Sequence, residues 1–146
     1  MNFPPELIQR VTADEGIKLV PYRDTAGRQT LGIGHNLQSP ITDGAAQYIL
    51  RDDLAKAAAQ VNSELPWASK LDAVRYWTLV ELAFNMGIGV RGGRDGLLSF
   101  AHMLDSLQAA RWYEAAASLL NSAWHEEVGD ERAERLAKQL KTGAWA

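Results

Sequence analysis

Glu15 follows Asp14 and precedes Gly16. Upstream, Leu7, Ile8 and Val11 fall at helical spacing behind the pair Pro4-Pro5, which predicts a helix that stops near Gly16. Glu15 then stands at a helix C-terminus, where the backbone already presents partial negative charge, and Asp14 adds a like charge. Both work against a second negative charge there, a setting that suits a general acid. Nine residues on, Asp24 sits at the edge of the turn-like cluster Thr25-Ala26-Gly27. A hairpin between them could return Asp24 beside the helix end. Two carboxyl groups in unlike surroundings are the working pair of glycoside hydrolysis. Thr30, six residues further and on the opposite strand, offers a hydroxyl that could hold a water between them. The plainer reading is that a helix-end Glu and a turn Asp are ordinary surface residues, and spacing alone favours it.

Other chemistry-bearing residues are weaker signals. Leu31-Gly32-Ile33-Gly34-His35 lacks the third glycine of a dinucleotide loop, because position 37 is leucine. Its glycines fit a strand that approaches other backbone closely. His35 could be a ligand or a base, but a lone histidine more often serves as a structural hydrogen-bond partner. Asp52 and Asp53 are candidates for that partner. His102 and His125 lack an HExxH neighbourhood, so no metal site is expected. Glu81 lies inside the apolar run Leu79-Val80-Glu81-Leu82-Ala83-Phe84 and is a rival acid, unless Arg75 or Arg132 pairs with it. Arg132, Arg135 and Lys138 recur at threes. They read as a solvated basic face, or one arginine could reach the Glu15 region. No Gly-x-Ser-x-Gly elbow or Walker loop is present.

These residues need elements to position them. After the first helix, residues 18–33 read as a small hairpin. Thr42 is a good N-cap for an amphipathic helix that runs to about Asn62. Pro66 breaks the chain, and a central apolar helix follows over Leu71–Met86. Gly87, Gly89, Gly92, Gly93 and Gly96 form a flexible connector. Further helices are expected at Leu97–Leu107, Arg111–Asn121 and Asp130–Lys141, with Gly143 as the last stop. The fold class is α+β with helices dominant.

The 146 residues fit one domain, and 47% hydrophobic residues can bury a real core. The absence of cysteine rules out disulfides, thiolate metal sites and a cysteine nucleophile. A formal net charge of −3 argues against an electrostatic nucleic-acid binder. The N-terminus Met1-Asn2-Phe3-Pro4-Pro5-Glu6 has no basic region followed by an apolar core, so no signal peptide is expected. The apolar stretch Trp77 to Met86 is about half the length of a bilayer span.

Taken together, Asp14-Glu15-Gly16, Tyr22-x-Asp24 and Thr30-x-Gly32-x-Gly34-His35 resemble the signature of the phage-type lysozymes, glycoside hydrolase family 24. The form is Glu, eight residues, Asp, five residues, Thr, closed by Gly-x-Gly-His. Phe84-Asn85-Met86-Gly87, Arg111-Trp112-x-Glu114-Ala115-Ala116, Arg132-Ala133-x-Arg135 and Thr142-Gly143-x-Trp145 extend the similarity over essentially the whole chain. The resemblance implies a two-lobed fold within residues 1–146. Its small hairpin lobe would span about 16–41. The helical lobe would span about 42–146 and include the N-terminal helix. It implies hydrolysis of the β-1,4 bond between N-acetylmuramic acid and N-acetylglucosamine, with inversion and no cofactor or metal. Glu15 would be the general acid, Asp24 would support the cationic transition state and help activate water, and Thr30 would position that water. His35 would be structural and paired with Asp53, Arg132 would brace Glu15, and Phe84 and Asn85 would lie along the sugar cleft.

Two features depart from the family pattern. Only six residues separate His35 from Thr42, so the small lobe is trimmed. The chain is also slightly acidic, whereas these enzymes are often basic. The expected role is that of a monomeric endolysin in phage-driven host lysis. It would collect in the host cytoplasm until a holin opens the way to the wall. Its partners would be peptidoglycan glycan strands, with no nucleic acid and no stable membrane insertion. A chitin-type glycosidase, a non-catalytic wall-binding module and a helical DNA-binding protein are the rival expectations.

Overall fold

A computed structural model describes residues 2–146. Helix α1 (Pro5–Glu15) comes first and is followed by strands β1 (Lys18–Arg23), β2 (Gln29–Gly32) and β3 (His35–Asn36). Helices α2 (Asp43–Glu64), α3 (Ala73–Met86), α4 (Ala101–Gln108), α5 (Trp112–Leu120), α6 (Ala123–Val128) and α7 (Asp130–Thr142) complete the chain. Short 3-10 turns at Pro66–Lys70 and Leu97–Ser99 precede α3 and α4. The class is α+β, with a small antiparallel sheet near the N-terminus and helices after it. No helix among the described residues is long and apolar enough to cross a membrane.

Contacts divide the chain into an N-terminal unit ending at Ala46 and a C-terminal unit, Gln47–Ala146. In the first, proline and glycine set the ends of α1. Pro5 occupies the first turn, where its missing N–H costs nothing, and Gly16 at φ 69° ends the helix. The sheet order is β1-β2-β3, with Tyr22 opposite Thr30 and Leu31 opposite His35. Lys18 pairs with Gly32, so a bulge interrupts β1 between Lys18 and Tyr22. Thr30 is the one buried residue among those described in this unit, which fixes its strand face. Thr42 caps α2 as the sequence predicts, its hydroxyl accepting from the Ala45 amide at 3.2 Å.

The apolar core belongs to the C-terminal unit. Leu79 and Leu82 of α3, Met103, Leu104 and Leu107 of α4, Leu119 of α5, and Leu136 and Leu140 of α7 are essentially inaccessible. The predicted helix over Leu97–Leu107 divides into a 3-10 turn and α4, and the α6 helix was not expected.

Arg75 on α3 ties this unit together. It is 8% exposed, its Nε donates to the Leu140 carbonyl at 2.7 Å, and Nη2 donates to the Lys141 carbonyl at 2.9 Å. These carbonyls lie in the last turn of α7, which has no partners of its own. Nη1 pairs with Asp72, and the guanidinium stacks 4.0 Å from the Trp112 ring centroid. Burial works against the Asp72 charge, but the Arg75 amide and guanidinium outweigh it and hold the carboxyl below its ordinary value. Arg75→Ala is expected to destabilise the chain by about 2–4 kcal/mol, lowering Tm by roughly 6–14 °C in calorimetry. A change under about 1 kcal/mol would show that other groups satisfy the end of α7.

Candidate active site

The sequence candidates Glu15, Asp24 and Thr30 all fall in the N-terminal unit. Glu15 is the last residue of α1 and is exposed. Its carboxyl lies against Gly34 in the turn between β2 and β3. A β-carbon on Gly34 would come within 2.8 Å of Glu15 Oε2. Gly34 also has φ 69°, so two independent facts call for glycine at this position. The Gly-x-Gly-His segment is therefore a seat for the acidic side chain.

Asp24 sits where β1 turns into the loop. Its Oδ1 accepts from the amides of Ala26 at 2.9 Å and Arg28 at 2.8 Å, and its Oδ2 accepts from Arg28 Nε at 3.0 Å. The Arg28 amide is the largest influence holding this carboxyl below its ordinary value, and the Arg28 guanidinium and Ala26 amide add to it. Asp24 is thus a fixed anion at neutral pH. The Gly27 amide closes the turn on the Asp24 carbonyl at 2.9 Å.

Thr30 donates its hydroxyl to the Arg28 carbonyl at 3.2 Å, and the Asp24 amide donates to the same carbonyl at 2.9 Å. Arg28 therefore joins Asp24 and Thr30 through its main chain. With its proton committed, the Thr30 hydroxyl keeps lone pairs that can accept from a water. The sequence reading missed Arg28, although its place one residue past Gly27 in an Asp-initiated turn is a usable signal.

Arg28→Ala separates these contributions. The guanidinium is largely exposed, and the Arg28 and Ala26 amides survive its loss. Asp24 would then titrate at higher pH than in the wild type, yet still below an ordinary carboxylate. The acid limb of kcat/KM is expected to move up in pH accordingly. An unmoved limb would mean that Asp24 protonation does not govern activity.

The remaining candidates occupy other places. His35 opens β3 and is exposed. Asp53 on α2 shares Lys56 with Asp52, at 3.2 and 3.1 Å. Glu81 accepts from Arg135 Nη2 at 2.9 Å, with Arg132 Nη2 at 3.8 Å, so its charge is neutralised within the C-terminal unit. It is a structural carboxylate, paired with two arginines of α7, while Arg75 bonds elsewhere. Among the described residues no acidic or histidine group forms a metal-binding cluster.

Phe84 and Asn85 lie in the last turn of α3, and Phe84 is 42% exposed. Asn85 lines a cavity of about 810 Å³ within the C-terminal unit, together with Phe100, His102, Ser118, Asn121 and Trp124. That volume suits a ligand of a few rings. Trp124 Nε1 donates to Asn85 Oδ1 at 2.8 Å, which fixes the indole in the cavity wall. Trp124 is one of five tryptophans in the chain, and spacing alone does not tell which of them line a site.

Comparison with known proteins bears on this arrangement. The chain is 25% identical to "Probable T4-type lysozyme 1" of Dictyostelium discoideum, across 89% of this chain and 90% of that protein. It is 36% identical to "Endolysin" of Acyrthosiphon pisum secondary endosymbiont phage 1, across 51% of this chain and 52% of that one. It is also 28% identical to "Pre-baseplate central spike protein Gp5" of Enterobacteria phage T4, where 94% of this chain matches 27% of a longer protein. The family model described as phage lysozyme matches residues 12–141, which include Glu15, Asp24 and Thr30. The chain belongs to the phage lysozyme family and is a lysozyme-type glycoside hydrolase of peptidoglycan.

Proposed function

We propose that this enzyme is a muramidase, which hydrolyses the β-1,4 bond between N-acetylmuramic acid and N-acetylglucosamine with inversion. The observation that carries this reading is the contrast between the two carboxyl groups. Asp24 is pinned as an anion by two amides and a guanidinium, while Glu15 rests against a glycine turn with its oxygens open to a ligand. Glu15 protonates the leaving oxygen as general acid. Asp24 stabilises the oxocarbenium-like transition state and, with Thr30, orients the attacking water. Asn85, Trp124 and the cavity beside them bind the glycan, and Phe84 extends that surface. His35, Asp53 and Arg132 serve structural roles. Residues 1–146 act as one lysozyme-like domain and as a monomer.

Inversion requires carboxyl groups about 6.5–9.5 Å apart in the working enzyme, leaving room for a water. Proton NMR of the first-formed sugar anomer checks this: the α-anomer is expected, and a β-anomer would assign a retaining mechanism. Parallel digestion of chitin oligomers tests the rival glycosidase, with peptidoglycan expected as the preferred polymer.

In its biological setting the enzyme collects in the host cytoplasm, crosses to the wall after a holin opens the inner membrane, and lyses the cell. The match to a spike protein favours a second setting, in which the same reaction opens the wall from a phage particle. Proteomics of purified virions against lysates separates the two.

A further inference from the structure

His125 lies on α6 immediately after Trp124. Its Nδ1 is 2.7 Å from the Leu120 carbonyl at the end of α5, and its Nε2 is 2.7 Å from Asp130 Oδ1 at the start of α7. A carbonyl oxygen and a carboxylate can only accept. Both ring nitrogens must therefore donate, and a neutral imidazole has only one N–H. The geometry calls for the imidazolium. Helix α6 also presents Trp124, Glu127 and Val128 to the cavity that Asn85 lines.

We propose that His125 is a positioning residue for the reaction. As an imidazolium it staples α6 between the ends of α5 and α7, and so holds Trp124 where the glycan binds. This rests on the reading that the cavity takes the peptidoglycan.

The charges around the ring agree. From α7 it feels Asp130 and Glu134. From α5 the Leu120 carbonyl faces it, at a helix end that carries no ionisable side chain. Its neighbours on α6 are Glu126 and Glu127. The Leu120 carbonyl contributes most, then Asp130, and together they raise the histidine above its ordinary value against some desolvation. A raised value means that the staple is complete below the unfolded histidine's titration, near pH 6.5, and is lost as pH rises through the folded value. The neutral ring keeps one of its two bonds. Trp124 itself bonds to α3 through Asn85, so release loosens α6 without detaching it.

The test uses the full chain in three forms: wild type, His125→Arg, which keeps charge and donors, and His125→Phe, which keeps ring volume alone. The Trp124 indole N–H resonance, assigned with Trp124→Phe, is followed from pH 5 to 9 without substrate. KM and kcat are measured on solubilised peptidoglycan over the same range. In wild type the indole signal is expected to titrate together with the His125 ring nitrogens. KM is expected to rise about three- to tenfold through that step, with kcat unchanged relative to the His125→Arg variant, a change of the size one ordinary hydrogen bond supplies. His125→Arg should abolish the step and keep the low KM, and His125→Phe should show the raised KM throughout. An indole signal that ignores the His125 titration overturns the staple. An indole signal that follows it while KM stays flat overturns the assignment of the cavity to the glycan, and the positioning role falls with it.

Discussion

Glu15→Gln is expected to lower kcat for wall hydrolysis by about 10³-fold, or roughly 4 kcal/mol of transition-state stabilisation. Glutamine keeps the size and polarity of the side chain but has no carboxyl proton to give the leaving oxygen. Glu15 ends α1 in an exposed position, so stability should change by less than about 0.5 kcal/mol. KM should also hold, because the group acts in the transition state more than in binding. Wall-clearing rates with purified peptidoglycan, set beside a thermal melt, make the measurement. Activity equal to wild type would mean that a group other than Glu15 supplies the proton.

Gly34→Ala is expected to cost about 10²-fold in kcat, a loss out of proportion to one methyl group. The new β-carbon would fall 2.8 Å from Glu15 Oε2 and 3.1 Å from its Cδ. The carboxyl is the free end of a flexible side chain, so it moves aside at little cost to stability. A catalytic group displaced by about 1 Å can lose that much rate. The positive φ adds about 1 kcal/mol of backbone strain. Gly32→Ala is the control. Gly32 has nearly the same φ, 68°, yet its β-carbon meets nothing within 4 Å. Both variants should therefore lose similar stability in denaturant melts, and only Gly34→Ala should lose most of its kcat. Equal kcat losses in the two would make backbone strain, not the seat of Glu15, the cause.

Punctuation residues made much of this fold readable. Pro5, Gly16 and Thr42 act locally, through a missing donor, a positive φ and a hydroxyl cap, and each element end lies where such a residue stands. The hairpin was legible for the same reason. The third strand was not, because His35–Asn36 is too short to carry a period-two pattern. Helix α6 escaped likewise: six residues between Ser122 and Gly129 show less than two helical turns. Long-range partners left no sequence trace. Arg75 reads in the sequence as a possible partner of Glu81, yet it is buried and donates to the end of α7, 65 residues away. Glu81 looked ambiguous until Arg135 closed on it.

In the candidate site, the residue types and order of Glu15, Asp24 and Thr30 were legible. Their support was not. Arg28 orders Asp24 and Thr30 mainly through its main chain, which side-chain identity does not encode. Gly34 reads as a glycine of close backbone approach within a strand; it stands instead in a turn at positive φ, and the space it leaves is for the Glu15 carboxyl, which depends on how α1 meets the β2–β3 turn.

Mass spectrometry of the new reducing ends in digested peptidoglycan, with wild type and Glu15→Gln run side by side, is the most direct test of the muramidase assignment. Reducing N-acetylmuramic acid from the wild type, and almost none from the variant, is the expected result. Reducing N-acetylglucosamine, cleaved peptide bonds, or equal product from both proteins would contradict either the bond assigned or the residue held responsible for breaking it.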